Sequence, residues 1–139
     1  MNFDRLSPMK NTLFTPAEAE RSLPLVKVIV RDILEVGVRL KSLKVDDPYQ
    51  YEEIVELRVQ LQRLLEEVEK LGCFFKDWNF EVGNIDWPSE IKGKAVHLCW
   101  KSDEEHVLYY HKISDPLEKR KPIPANLLTH LPAASTESN

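Results

Sequence analysis

The chain of 139 residues holds four glycines, two cysteines and no long apolar run, and each shortage removes a class of protein. Four glycines do not build a phosphate cradle. No Gly-x-x-x-x-Gly-Lys loop occurs, and no Gly-x-Ser-x-Gly elbow that would expose a nucleophilic serine. Cys73 and Cys99 match no metal or redox spacing, and one pair falls far short of a disulfide framework. Reduced thiols are expected. The longest apolar stretch, LPLVKVIV, is interrupted by Lys27 and is too short to span a bilayer. MNFDRLSPMK has no continuous apolar segment of the secretory kind, so the cytoplasm is the expected location.

Basic charge is also scarce. The net charge is −4, and the one basic cluster, Lys119-Arg120-Lys121, follows acids at Asp115 and Glu118. A nucleic-acid binder needs a basic face to displace counterions, so nucleic acid is not an expected partner. With 42% hydrophobic and 30% charged residues, the composition fits one globular domain with a single core.

What is there begins at FTPAEA. Thr15 suits an N-cap, Pro16 the first helical position and Glu18 the reciprocal end of a capping box. Pro24 lacks an N–H and crowds the preceding turn, which predicts a short helix over about 16–22 and a longer one starting near Pro24. Val26, Ile29, Ile33, Val36, Leu40 and Leu43 then step by alternating threes and fours. Ile54, Leu57, Leu61, Leu64, Val68 and Leu71 repeat that pattern after the short linker KVDDPYQ. Alternating steps of this kind mark the seam of helices at a shallow crossing angle, and the linker makes them antiparallel. Gly72 stands where a left-handed C-cap is wanted.

Each helix carries a further apolar stripe, Val30, Leu34 and Val38 on the first and Val55 and Val59 on the second. Two helices alone leave these uncovered, so a sheet or another chain must cover them. The second half changes character. KAVHLCW and HVLYYHKI alternate about the polar turn SDEE, which predicts a β-hairpin. With Asp103-Glu104 at the turn, position 96 faces 111, 98 faces 109 and 100 faces 107. His111 then shares a core-facing surface with Val96, Leu98, Trp100, Val107 and Tyr109, while His97, Cys99, His106 and Tyr110 face out. GNIDWP reads as a turn joining the helical half to the sheet. The expected fold is α+β, an antiparallel coiled-coil-like helical hairpin packed on a small antiparallel β-hairpin or sheet. Its expected parts are a loose arm over residues 1–12, one domain over 13–123 (helical hairpin 24–72, β part 73–113) and a largely flexible tail over 124–139.

These landmarks together resemble a bacterial family of uncharacterised proteins, the domain-of-unknown-function 2203 family. The resemblance rests on FTPAEA, the Leu23-Pro24 step, Leu71-Gly72 followed by Lys76-Asp77, GNIDWP, GKAVHLCW, and the ending Tyr110-His111 through Arg120-x-Pro122. Here the chain has Asp103 where the family tends to glycine, Pro116 to Arg120 where it tends to a Gly-x-x-Gly-Arg turn, and Tyr110 where it tends to tryptophan. Loss of the turn glycines argues against a backbone-lined anion pocket there. The resemblance implies a fold and carries no activity.

Asp86 lies between Ile85 and Trp87, and a carboxylate among bulky apolar neighbours needs a partner. It is either a structural hydrogen-bonding group or part of an acid–base set with His111 and Arg120, the arginine holding an anion beneath Trp87 and Trp100. His97, Cys99 and His106 are a conceivable zinc trio on the outer face, but they lack a fourth ligand and a standard spacing, so neither metal nor cofactor is expected. The first functional expectation is a non-catalytic interaction or assembly protein, with the stripe Val30, Leu34, Val38, Val55 and Val59 meeting a protein partner or a second copy. The alternative is a small protein or enzyme binding an anionic ligand through Asp86, His111 and Arg120.

Overall fold

A computed structural model describes residues 12–115 and 119–132. The expected loose arm, Thr12 apart, and the far end of the tail lie outside these residues. Helix α1 runs Pro16–Ser42 and helix α2 runs Tyr51–Lys70, with one 3-10 turn, Pro48–Gln50, between them. The capping box forms as the sequence requires. Glu18 N donates to Thr15 Oγ1 at 3.1 Å, and Thr15 N donates to Glu18 Oε1 at 3.0 Å.

The expected break at Pro24 does not occur, and α1 is continuous through it. Pro24 itself is exposed, while Leu23, Val26, Ile29 and Val30 around it are buried. An interior proline costs about 3 kcal/mol, and each large apolar side chain removed from water contributes about 1.5–3 kcal/mol. Packing on both sides of the proline therefore outweighs the lost hydrogen bond. At the other end of the hairpin Gly72 adopts φ +92°, and the amides of Gly72 and Cys73 return to Glu69 O and Val68 O at 2.9 and 3.4 Å. These are the paired bonds of a Schellman cap.

The sheet is larger than a hairpin. Five antiparallel strands lie in chain order: β1 (Phe74–Phe75), β2 (Asn84–Ile91), β3 (Lys94–Lys101), β4 (Tyr109–Lys112) and β5 (Lys121–Pro122). GNIDWP is thus no connecting turn; Asn84 to Pro88 open strand β2, which lies between β1 and β3. Pro88 is tolerated because β1 pairs only with Ile85 and Asp86, so no ladder on that side demands its N–H. Strands β2 and β3 are joined by Lys92 and Gly93 at φ 54° and 77°, a two-residue turn of the primed type that suits the twist of paired strands.

The β3–β4 register also differs from expectation. His97 pairs with His111, Leu98 with Tyr110 and Cys99 with Tyr109, one residue away from the predicted alignment. A longer loop causes the slip. Glu20 of α1 accepts the Val107 amide at 2.9 Å and holds His106 Nδ1 at 2.6 Å, while the Glu104 carboxylate accepts the Lys101 amide at 3.0 Å. One residue of slip exchanges the faces of the whole strand. His111 therefore joins His97 and Cys99, and Tyr110 joins Leu98 and Trp100.

The face carrying Ile85, Trp87, Val96, Leu98 and Trp100 packs on α1 in one core with Leu23, Val26 and Ile33. Val30 is 1% exposed and Leu34 is half-buried against the same core, so these two residues of the expected interface stripe are covered by the sheet. Val38, Val55 and Val59 remain 55%, 40% and 46% exposed. Residues 124–132, expected as the start of a flexible tail, instead form a short turn at Ala125–Leu127, and Leu127 and Leu128 rest on the core. Among the described residues no helix is long and apolar enough to cross a membrane.

Candidate functional site

Among the described residues the helical side chains of the core meet one face of the sheet, and on the opposite face the polar groups converge on Asp86. Register places Asp86 between Phe74 of β1 and Cys99 of β3. Beyond the end of β1 the ladder continues through Lys76 N to Asn84 O at 2.8 Å, which brings the Lys76 side chain over β2. Asp86 is fully buried.

Three basic groups approach one oxygen of this carboxylate. His111 Nε2 stands 3.0 Å from Asp86 Oδ2, and Lys76 Nζ and His97 Nδ1 each stand 3.3 Å from it. The His97 nitrogen is out of alignment and makes no hydrogen bond, and Asp86 Oδ1 and Asn84 Oδ1 are likewise buried without one. The other His111 nitrogen, Nδ1, lies 2.8 Å from Lys112 O. The two imidazoles meet edge to face with centroids 5.6 Å apart. Burial pushes the Asp86 carboxyl up; His97, His111 and Lys76 together overcome that and hold it below the usual range. A cleft of about 300 Å³ is lined by Lys76, Asn84 and Lys101 with the acids Asp77, Glu81 and Asp103, and it reaches the cluster only at Lys76, since Asp86, His97 and His111 do not line it.

The sequence set is only partly assembled. Asp86 and His111 meet. Arg120 does not face them as a free anion holder: its guanidinium forms a fork with Glu104, Nη1 lying 3.1 Å from Oε1 and Nη2 pairing with Oε2. It also lies over the Tyr109 ring at 4.0 Å and reaches Cys99 Sγ at 3.5 Å. The Glu104 hydrogen bond is the chief reason its pKa is raised. Burial pushes the Cys99 thiol up, a shift that the Arg120 contact only partly opposes. Trp87 and Trp100 lie in the core on the other face, their N–H groups satisfied by Ser22 Oγ at 3.1 Å and Glu104 O at 2.9 Å. They do not roof the site.

The trio His97, Cys99 and His106 is also not assembled, because His106 turns to Glu20 of α1. A different set takes its place. Asp86, His97 and His111 each offer one ligand atom, all within 4.8 Å of one another. Sequence reasoning grouped His97 with Cys99 and His106 and gave Lys76 no part in a site. The available signal was the HLCW and YYHK alternation, which yields this set once the register is shifted by one.

A five-stranded antiparallel meander backed by a helical pair, with a buried acid–imidazole cluster among its described residues, is a small α+β domain. The chain belongs to the family described as uncharacterized conserved protein (DUF2203), whose family model matches residues 12–123. No curated protein and no solved structure matches it.

Proposed function

We propose that this protein binds a small ligand or ion on the face of its sheet opposite the helical core, with Asp86 at the centre and the helical pair as scaffold. The observation that supports this reading is the state of Asp86: a fully buried carboxylate with basic groups crowded on one oxygen and, among the described residues, no hydrogen-bond partner on the other. A purely structural carboxylate is usually satisfied at both oxygens, since an unmet buried acceptor costs about 1–3 kcal/mol. The cleft lined by Lys76 and Asn84, whose Oδ1 is buried without a hydrogen bond among the described residues, lies on the same side of β2. Arg120 is engaged by Glu104, so a ligand here is met by Lys76, His97 and His111 instead.

Backbone amide spectra of the full chain, recorded with pools of small metabolites and ions, test this. Shifts should centre on Asn84–Trp87, His97–Cys99 and Tyr109–His111. Shifts confined to α2, or ones that survive Asp86→Asn unchanged, would refute it.

A second reading, an interaction or assembly protein, draws support from the exposed Val38, Val55 and Val59 on the two helices. Sedimentation of wild type against Val55→Glu/Val59→Glu tests it; a species heavier than monomer that the double variant abolishes would support it.

A further inference from the structure

The ligand class follows from the hydrogen-bond logic of the cluster, and this inference rests on the reading of Asp86 as a binding centre. Lys112 O can only accept, so the His111 Nδ1 facing it at 2.8 Å is a donor nitrogen. The other nitrogen, Nε2, makes the hydrogen bond to Asp86 Oδ2 at 3.0 Å, and a metal ion would take the place of the proton in that bond. His97 Nδ1 approaches the same oxygen at 3.3 Å without a hydrogen bond. An Asp86 oxygen and two imidazole nitrogens thus converge on one small volume. A metal ion placed between them would bond all three.

We propose that Asp86, His97 and His111 bind a divalent first-row transition ion of the zinc type. Metal–ligand bonds of roughly 2.0–2.1 Å put tetrahedral donors about 3.3 Å apart. The Asp86–His111 and Asp86–His97 separations, 3.0 and 3.3 Å, match that edge. Imidazole with carboxylate suits zinc, iron, cobalt or nickel and disfavours calcium and magnesium, which take oxygen. The outer shell is in place, because a ligating histidine characteristically donates its other N–H to a carbonyl or carboxylate, as His111 does to Lys112 O. Lys76 is the stand-in. Its ammonium lies 3.3 Å from Asp86 Oδ2 on a side chain 46% exposed, so it is free to swing into solvent when a metal takes its place. Three protein ligands leave a coordination position open. Cys99 Sγ, turned to Arg120 Nη1 at 3.5 Å, is not one of the donors.

Calorimetric titration of the chelator-treated full chain with Zn²⁺, paired with visible absorption of the Co²⁺ form, decides the matter. One ion per chain is expected, together with a rise in melting temperature and tetrahedral Co²⁺ absorption. His97→Ala and His111→Ala should each weaken binding by roughly 100-fold, at or beyond the upper end of what losing a supporting residue costs. Cys99→Ser should keep its site. Circular dichroism of each apo variant checks folding. Should His111→Ala unfold, His97→Ala decides alone, since His97 Nδ1 gives up no hydrogen bond. Absence of binding, or binding that outlasts both histidine variants or disappears with Cys99, overturns the assignment. Metal failure with ligand-induced amide shifts intact around Asp86 would remove the ion and leave the binding centre; loss of both would remove the centre too.

Discussion

His111 reaches across β3 to Asp86, Nε2 to Oδ2 at 3.0 Å, so strands β2 and β4, which are not neighbours in the sheet, are tied by a buried side-chain bond. The tie fixes the register of the central three strands as well as the geometry of the cluster. Removing one partner of a buried charged hydrogen bond leaves the other unmet, at a cost of about 3–5 kcal/mol for a fully buried pair. Lys76 remains beside Asp86, so His111→Ala should cost somewhat less, roughly 2–4 kcal/mol, by urea unfolding of the metal-free chain. A cost below about 1 kcal/mol would mean that the bond does not hold the strands together.

Cys73 should give the protein an alkaline weakness. Burial pushes its thiol up to about 12, and its Sγ donates toward Val68 O at 3.6 Å. An unfolded cysteine ionises near pH 8.5, so between roughly pH 9 and 12 the folded chain holds a proton that the unfolded chain has lost. Stability from this group is therefore complete below about pH 8.5 and falls as pH rises, by roughly 2 kcal/mol at pH 10. Chemical unfolding of wild type and Cys73→Ala at pH 8 and pH 10 measures the difference. The alanine variant should lose less between the two pH values, and parallel losses would show that the thiol does not titrate late.

How far the fold was legible depended on the range of the contacts that decide each part. The helical hairpin, its N-terminal capping box and the Gly72 cap are written in periodicities and spacings within a few residues, and all three formed. β2 was hidden because it is buried on both faces, so Ile85, Asp86 and Trp87 show no alternation to mark a strand. The register of β4 was hidden because Glu20, far away in sequence, captures the loop before it. The cluster depended on both. Its donors come from three different strands, which is why no ligand spacing appears in the chain and why His97 was grouped with His106.

Pro24 and Lys92 are two places where the local sequence works against the fold. Pro24 is exposed inside α1, so Pro24→Ala restores an N–H without disturbing packing. It should stabilise by roughly 2 kcal/mol, the helix gain of about 3 less up to 1 for the freer unfolded chain. Lys92 sits at φ 54°, where asparagine is far better tolerated and an Asn-Gly pair is the favoured turn. Lys92→Asn should add about 0.5–1 kcal/mol, a fraction of the left-handed penalty for ordinary residues. Both gains are read as shifts in melting temperature, and a lowered melt in either variant contradicts the corresponding local account.

The two kinds of valine on the helices should behave oppositely. Val30 is 1% exposed and packs against the β2 entrance so closely that a Cβ on Gly83 would fall 2.2 Å from its Cγ1. Val59, by contrast, is 46% exposed. A glutamate at position 30 buries an unpaired charge and leaves no room for relief, so Val30→Glu should lose more than about 4 kcal/mol or fail to fold. Val59→Glu should stay within about 0.5 kcal/mol of wild type as a monomer. Parallel melts and sedimentation separate core from interface. If Val30→Glu folds normally and changes only the mass of the particle, the sheet does not cover the α1 stripe and the assembly reading regains its ground. If it unfolds while Val59→Glu does not, Val30 belongs to the core that supports the Asp86 face, and only the outer valines remain for a partner.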